Sequence, residues 1–150
     1  MADEERQPKL FSLKEAERTR AQVEPVLIEA MENRRRMAPL AERLAEIASR
    51  ISMSGGVQIR YEEVARLRAE HDVLGRSIKS AMERIESTGC VVKDLDIGLL
   101  DFPSVIDDEE VYLCWRLGED RIRYYHRQDE GFAGRKPLDP CDTGPASTIQ

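Results

Sequence analysis

The hydrophobic period of this chain changes once, at Gly89, and that change limits what it can fold into. Before Gly89 the apolar residues recur at helical spacing: Leu13, Ala16, Val23, Leu27, Ala30, Met31, Met37, Leu40, Ala41, Leu44, Ile47 and Ile51. A second run, from about Tyr61 to Thr88, sets Val64, His71, Ile78 and Ile85 seven apart, with Leu67, Leu74 and Ala81 between them. That is a heptad seam. Ser52-Met53-Ser54-Gly55-Gly56 separates the two runs and reads as a turn, because glycines take positive φ freely. Two long helices joined by a short turn predict an antiparallel helical hairpin over residues 12–88. Its start is marked by Ser12 and Glu15, which have capping-box spacing, and Phe11 is placed to staple against Ala16. Pro25 and Pro39 lie inside the first run. Each removes an amide donor and crowds the preceding turn, so a kink or break is expected there.

After Gly89 apolar residues alternate. Cys90–Lys93 reads as a strand, and Gly98–Phe102 as another closed by Pro103. Asp107-Asp108 marks a turn. Val111–Leu117 alternates cleanly, with Val111, Leu113, Trp115 and Leu117 on one face. Gly118-Glu119-Asp120 reads as a hairpin loop, and Arg121–Arg127 alternates again. The expectation is a small antiparallel β-meander of three to four strands, followed by a Gly-rich loop over 128–138. The fold class is therefore α+β. One domain is expected over residues 10–138, with the hairpin at 12–88 and the sheet and loop at 89–138. The polar segments 1–9 and 139–150 are expected to be disordered.

Composition removes several classes of function. The net charge of −6 disfavours a nucleic-acid partner, which requires clustered cations. The local run Arg34-Arg35-Arg36 lies in a helix and reads as a solvated face. Three cysteines, Cys90, Cys114 and Cys141, show no zinc-type spacing, and no disulfide is expected among them. The start Met1-Ala2-Asp3-Glu4-Glu5 lacks the apolar core of a signal peptide. No apolar run approaches the roughly 20 residues of a membrane span. A cytoplasmic setting and no membrane partner are expected.

Three C-terminal segments are distinctive: Gly89-Cys-Val-Val-Lys-Asp-Leu-Asp-Ile-Gly-Leu-Leu-Asp-Phe-Pro-Ser104, Val111-Tyr-Leu-Cys-Trp-Arg-Leu-Gly-Glu119 and Tyr125-His-Arg-Gln-Asp-Glu-Gly-Phe-Ala-Gly-Arg-Lys-Pro-Leu138. With the Phe11–Ala16 start and the Gly55-Gly56 turn, they resemble the bacterial domain of unknown function 2203 family over about residues 10–138. The resemblance implies the architecture derived above and carries no activity, substrate or cofactor with it.

The polar residues of the sheet region supply the candidate site: Lys93, Asp101, Glu119, His126 and Arg135. Carboxylates beside a histidine suit a divalent metal or an acid–base pair. Counting from the turns pairs both Asp101 and His126 with Leu113, which would put them on one face. The plainer alternative is a buried polar network. Gly131–Arg135 offers loop amides and a guanidinium to an anion, or else forms a structural loop in which Arg135 meets a carboxylate. His71 is either a pH-sensitive contact or a seam-edge residue bonded to Glu42. Cys114 has no evident base beside it and reads as packing.

Two functions remain open. One is an interaction module that self-associates through the hairpin. The other is a small-ligand- or metal-binding enzyme using Asp101, Glu119, His126 and Arg135. The first is favoured, because no motif with specific chemical spacing appears. Self-association is expected because a second helix of about 28 residues spans about 42 Å, whereas three or four strands span about 15–20 Å. Paired apolar positions, Ala30 with Met31 and Leu40 with Ala41, widen the apolar face of the first helix. A homodimer, or a complex with a helical protein, is the expected assembly.

Overall fold

The computed structural model describes residues 9–53 and 61–138. The expected disordered ends and the Gly55-Gly56 turn fall outside these residues, apart from Lys9. Helix α1 spans Leu13–Met53 and α2 spans Tyr61–Glu86. Five strands follow: β1 (Val91–Asp94), β2 (Leu99–Ile106), β3 (Glu109–Arg116), β4 (Tyr124–Arg127) and β5 (Lys136–Pro137). They form one antiparallel sheet in the order β1-β2-β3-β4-β5. The α+β expectation and the helical hairpin both hold.

The start of α1 follows from its capping box. The Glu15 amide donates to Ser12 Oγ at 3.1 Å, and the Ser12 amide donates to Glu15 Oε1 at 3.0 Å. Phe11 just before it is fully buried, edge-on to Phe102 with centroids 5.3 Å apart. The expected break at the prolines does not occur: α1 runs through Pro25 and Pro39 as one helix of 41 residues. Contacts with α2 on either side of Pro39, and burial of Val23 and Leu27 beside Pro25, hold the helix across the two missing amide donors. Cross-hairpin contacts bind α1 to α2. Asn33 Nδ2 donates to Ser77 Oγ at 3.1 Å, and Arg43 Nη2 bridges to Glu63 at 3.2 Å.

The sheet differs from expectation in three places. First, β2 does not stop at Pro103 but continues to Ile106. In an antiparallel ladder a residue's N and O point to the same side. The Pro103 carbonyl accepts the Phe11 amide at 2.7 Å, so the missing N–H also points away from β3 and breaks no bond of that ladder. Second, β3 begins at Glu109 rather than Val111, so the expected Asp107-Asp108 turn is a two-residue hairpin, Ile106 opposite Glu109, with the two aspartates at φ 51° and 64°. Aspartate tolerates this left-handed conformation better than most residues. Third, the segment from Arg121 yields a strand only at Tyr124–Arg127, and the 128–138 segment is more than a loop. It holds a 3₁₀ turn, Phe132–Gly134, and the short β5, giving five strands rather than three or four.

The inner face of the sheet carries Leu100, Phe102, Leu113 and Trp115, packed with Phe11, Val23, Leu27, Met31 and Ile85. Fully burying such side chains contributes about 1.5–3 kcal/mol each. Gly98 lets the sheet close on α1. Its φ is +71°, and a Cβ there would stand 2.8 Å from Leu117 Cβ and 3.1 Å from the Met31 sulfur. Among the described residues no helix is long and apolar enough to cross a membrane.

Candidate functional site

The outer face of the same strands holds the polar residues. The register places Asp101 opposite Cys114 and His126 opposite Tyr112. This corrects both expected pairings with Leu113, each by one residue. The two shifts compensate, so Asp101 and His126 still share a face, the one opposite Leu113. The two-residue hairpin at Asp107-Asp108 fixes the β2–β3 register and so the first shift, while the second follows from the longer β3–β4 connection.

Asp101 and His126 stand on strands separated by β3, so their backbones lie about 10 Å apart at about 4.8 Å per strand. Their side chains nevertheless meet. His126 Nε2 lies 2.9 Å from Asp101 Oδ2. The residue between them on β3 is Cys114, which is small enough to fit between the two converging side chains. All three are buried: 1% of Asp101, 0% of Cys114 and 3% of His126 remain exposed.

The protonation of this pair is constrained. His126 Nδ1 lies 2.8 Å from the Arg127 carbonyl oxygen, which can only accept, so Nδ1 carries a proton. The remaining Nε2–Oδ2 contact then holds one proton, either as imidazolium with carboxylate or as imidazole with carboxylic acid. Burial pushes the Asp101 carboxyl above its ordinary range, with the His126 charge and hydrogen bond acting the other way. Burial first, then the charge of Asp101, pushes the Cys114 thiol up to about 12. Cys114 is therefore no ready nucleophile. Asp101 Oδ1 is buried and has no hydrogen-bond partner among the described residues.

The other expected site residues surround this pair with different roles. Lys93 is exposed, its ammonium 5.3 Å from the Tyr112 ring centroid. Arg135 pairs with Glu119 and stacks on Tyr124 at 4.0 Å and on Phe132 at 4.6 Å. Glu119 also accepts the Arg116 amide through Oε1 at 2.8 Å, and its carbonyl accepts Trp115 Nε1 at 3.0 Å. Arg135 and Glu119 thus lock the 3₁₀ turn onto the outer face, which is the structural reading of the Gly-rich loop. Among His126, Asp101 and the cysteines, the sequence pointed to the first two. It missed Cys114, whose only signal was its place at i+2 from Tyr112 on a strand flanked by both. Cys90 and Cys114 are both free thiols. Cys141 lies outside the described residues.

The hairpin offers a second feature. The buried residues of α1 are Ala16, Thr19, Val23, Leu27, Ala30 and Met31, all in its first half. From Glu32 to Met53 no α1 residue is buried, although Met37, Leu40, Leu44, Ile47 and Ile51 continue the helical spacing. Leu44, Ile47, Ile51, Tyr61 and Val64 line an open groove between the helices at this end. Ala30 and Met31, expected to widen a free face, instead belong to the sheet-covered half. His71 is half-buried in α2, and Arg43, not His71, makes the ion pair across the hairpin. Arg34, Arg35 and Arg36 are exposed, with Arg34 paired to Asp96 at 2.7 Å.

These features define an α+β class: a long helical hairpin, covered over half its length by a five-stranded antiparallel sheet whose outer face buries polar groups. Within that class the chain belongs to the family described as "Uncharacterized conserved protein (DUF2203)", whose model matches residues 9–138. No curated protein and no solved structure matches the chain.

Proposed function

We propose that the protein is an interaction module that pairs with a second copy of itself through the free half of its hairpin. The observation that carries this reading is the second half of α1, a run of 22 residues that keeps its apolar spacing yet buries nothing. Met37, Leu40, Leu44, Ile47 and Ile51 are half-buried along α2, so this stripe is covered on one side only, and the open side of the groove is a contact surface.

Charge favours a second copy as the occupant. The chain as a whole carries −6, but residues 37–53 and 61–68 hold four arginines (43, 50, 66 and 68) and four glutamates (42, 46, 62 and 63). The free end is thus neutral and does not repel its own copy, whereas the rest of the chain would. Arg43 and Arg50 already pair with Glu46, and Arg43 with Glu63. Glu42, Glu62, Arg66 and Arg68 make no ion pair among the described residues, leaving two charges of each sign for a two-fold partner. Residues 37–53, the part of that run with the neutral charge balance, are about 25 Å long at 1.5 Å per residue. Across two helices this gives on the order of 1,000 Å² buried in total, at the lower bound for a specific interface, so the dimer is weak and forms at micromolar concentration.

Sedimentation velocity across that range tests it. The wild-type chain is expected to move from monomer to dimer, and Leu44→Glu with Ile47→Glu to remain monomeric with unchanged circular dichroism. A wild-type chain that stays monomeric throughout overturns the second copy as occupant. So does a double variant that still dimerises.

A further inference from the structure

We propose that Asp101, Cys114 and His126 form a closed binding site for one zinc-class divalent ion on the outer face of the sheet. One donor atom from each residue, the Cys114 sulfur, a ring nitrogen of His126 and a carboxylate oxygen of Asp101, lies within 4.8 Å of the others. Sulfur, imidazole nitrogen and carboxylate oxygen together are the donor set of a zinc-type ion, not of calcium or magnesium, which take oxygen alone.

Three further observations point the same way. First, Asp101 is 99% buried, since only 1% is exposed, and its Oδ1 has no partner among the described residues. A buried carboxylate oxygen left without a hydrogen bond is unfavourable unless something else binds it. With Oδ1 and Oδ2 both on the metal, three side chains supply the four donors of a closed site. Second, the His126 ring is already fixed for ligation. Its Nδ1 proton points at the Arg127 carbonyl, 2.8 Å away, and its Nε2 faces Asp101. A metal-bound histidine almost always donates its other ring N–H to such a carbonyl or carboxylate, which sets the tautomer. Third, the charges cancel. A thiolate, a carboxylate and a neutral imidazole around a dication sum to zero, as a water-free site requires. On binding, the proton shared by Asp101 and His126 and the thiol proton of Cys114 leave to solvent as the metal–ligand bonds form.

Each ligand comes from a different strand: Asp101 from β2, Cys114 from β3 and His126 from β4. The ion would therefore tie three strands together, and its readout includes stability as well as spectroscopy.

Cobalt(II) titration of the reduced, metal-free full-length chain tests the site. One equivalent is expected to give the thiolate-to-cobalt charge-transfer band in the near ultraviolet and the visible bands of a four-coordinate ion, with zinc displacing cobalt. Cys114→Ser should abolish the charge-transfer band and weaken binding at least about tenfold. Cys90→Ser and Cys141→Ser should leave both unchanged. Zinc, but not magnesium, should raise the melting temperature of the wild type. If Cys114→Ser fails to fold, Asp101→Asn serves, with the band kept but shifted and affinity lowered. A wild-type chain with no charge-transfer band and no zinc-dependent melting shift overturns the proposal. A band that survives in folded Cys114→Ser does the same.

Discussion

The two halves of the hairpin are built from the same helical spacing and end in different situations. In the half that meets the sheet, Ala16, Val23, Leu27, Ala30 and Met31 are buried against Phe102, Leu113 and Trp115 or against α2. In the other half, Met37, Leu44, Ile47 and Ile51 continue the pattern and stay partly exposed. Periodicity therefore marks which face is apolar but not what covers it. Cover depends on length, and α1, at 41 residues, outruns a sheet five strands wide. The sheet end buries the core, and the far end of the hairpin leaves its apolar stripe only half-covered.

The largest effect that could break this contrast is a core deletion. Trp115→Ala is expected to lower unfolding free energy by about 3–5 kcal/mol, read as a shift of the urea midpoint. A loss below 1 kcal/mol would mean that the sheet end is not the stabilising half. His126→Ala in the metal-free chain should remove about 1–3 kcal/mol, by leaving the Asp101 carboxylate and the Arg127 carbonyl without their partner. An unchanged midpoint would show that the outer-face pair is not structurally coupled to the sheet.

A pH series sharpens the comparison further. The Asp101 carboxyl is raised above its ordinary 3.8 in the folded chain. A raised acid binds its proton more tightly when folded than when unfolded. Its contribution to stability is therefore complete below the ordinary carboxylate value and is lost as pH rises through the raised value. Asp101→Asn should flatten that component of the metal-free stability profile, and an unaltered slope would contradict it. The smallest effect is expected at the free end. Ile47→Ala should change the stability of the dilute monomer by under about 1 kcal/mol, while weakening association measured by sedimentation.

The sequence carried the change of period at Gly89, and with it the hairpin and the sheet. It also carried the Ser12–Glu15 capping box and the Asp107-Asp108 turn, because those depend on residues close in the chain. Strand register was not legible. It turns on the left-handed backbone at both turn aspartates, and a one-residue slip exchanges the faces of a strand. The continuation of β2 through Pro103 depended on Phe11, 92 residues earlier, taking up the outward carbonyl. β5 has only two residues, one of them proline, and so no pattern to read. Of the outer-face cluster, Asp101 and His126 stood out as rare polar groups on apolar strands. Cys114 did not, because a cysteine on a strand reads as packing until its neighbours across the sheet are known.

Hydrogen exchange of the full-length chain at a low and a high protein concentration tests the division between the two halves most directly. Amides of Met37–Met53 and of the facing part of α2 should gain protection as concentration rises, while those of β2 and β3 stay the same. Protection that is independent of concentration along the whole of α1 would contradict the assignment of the free half as the contact surface.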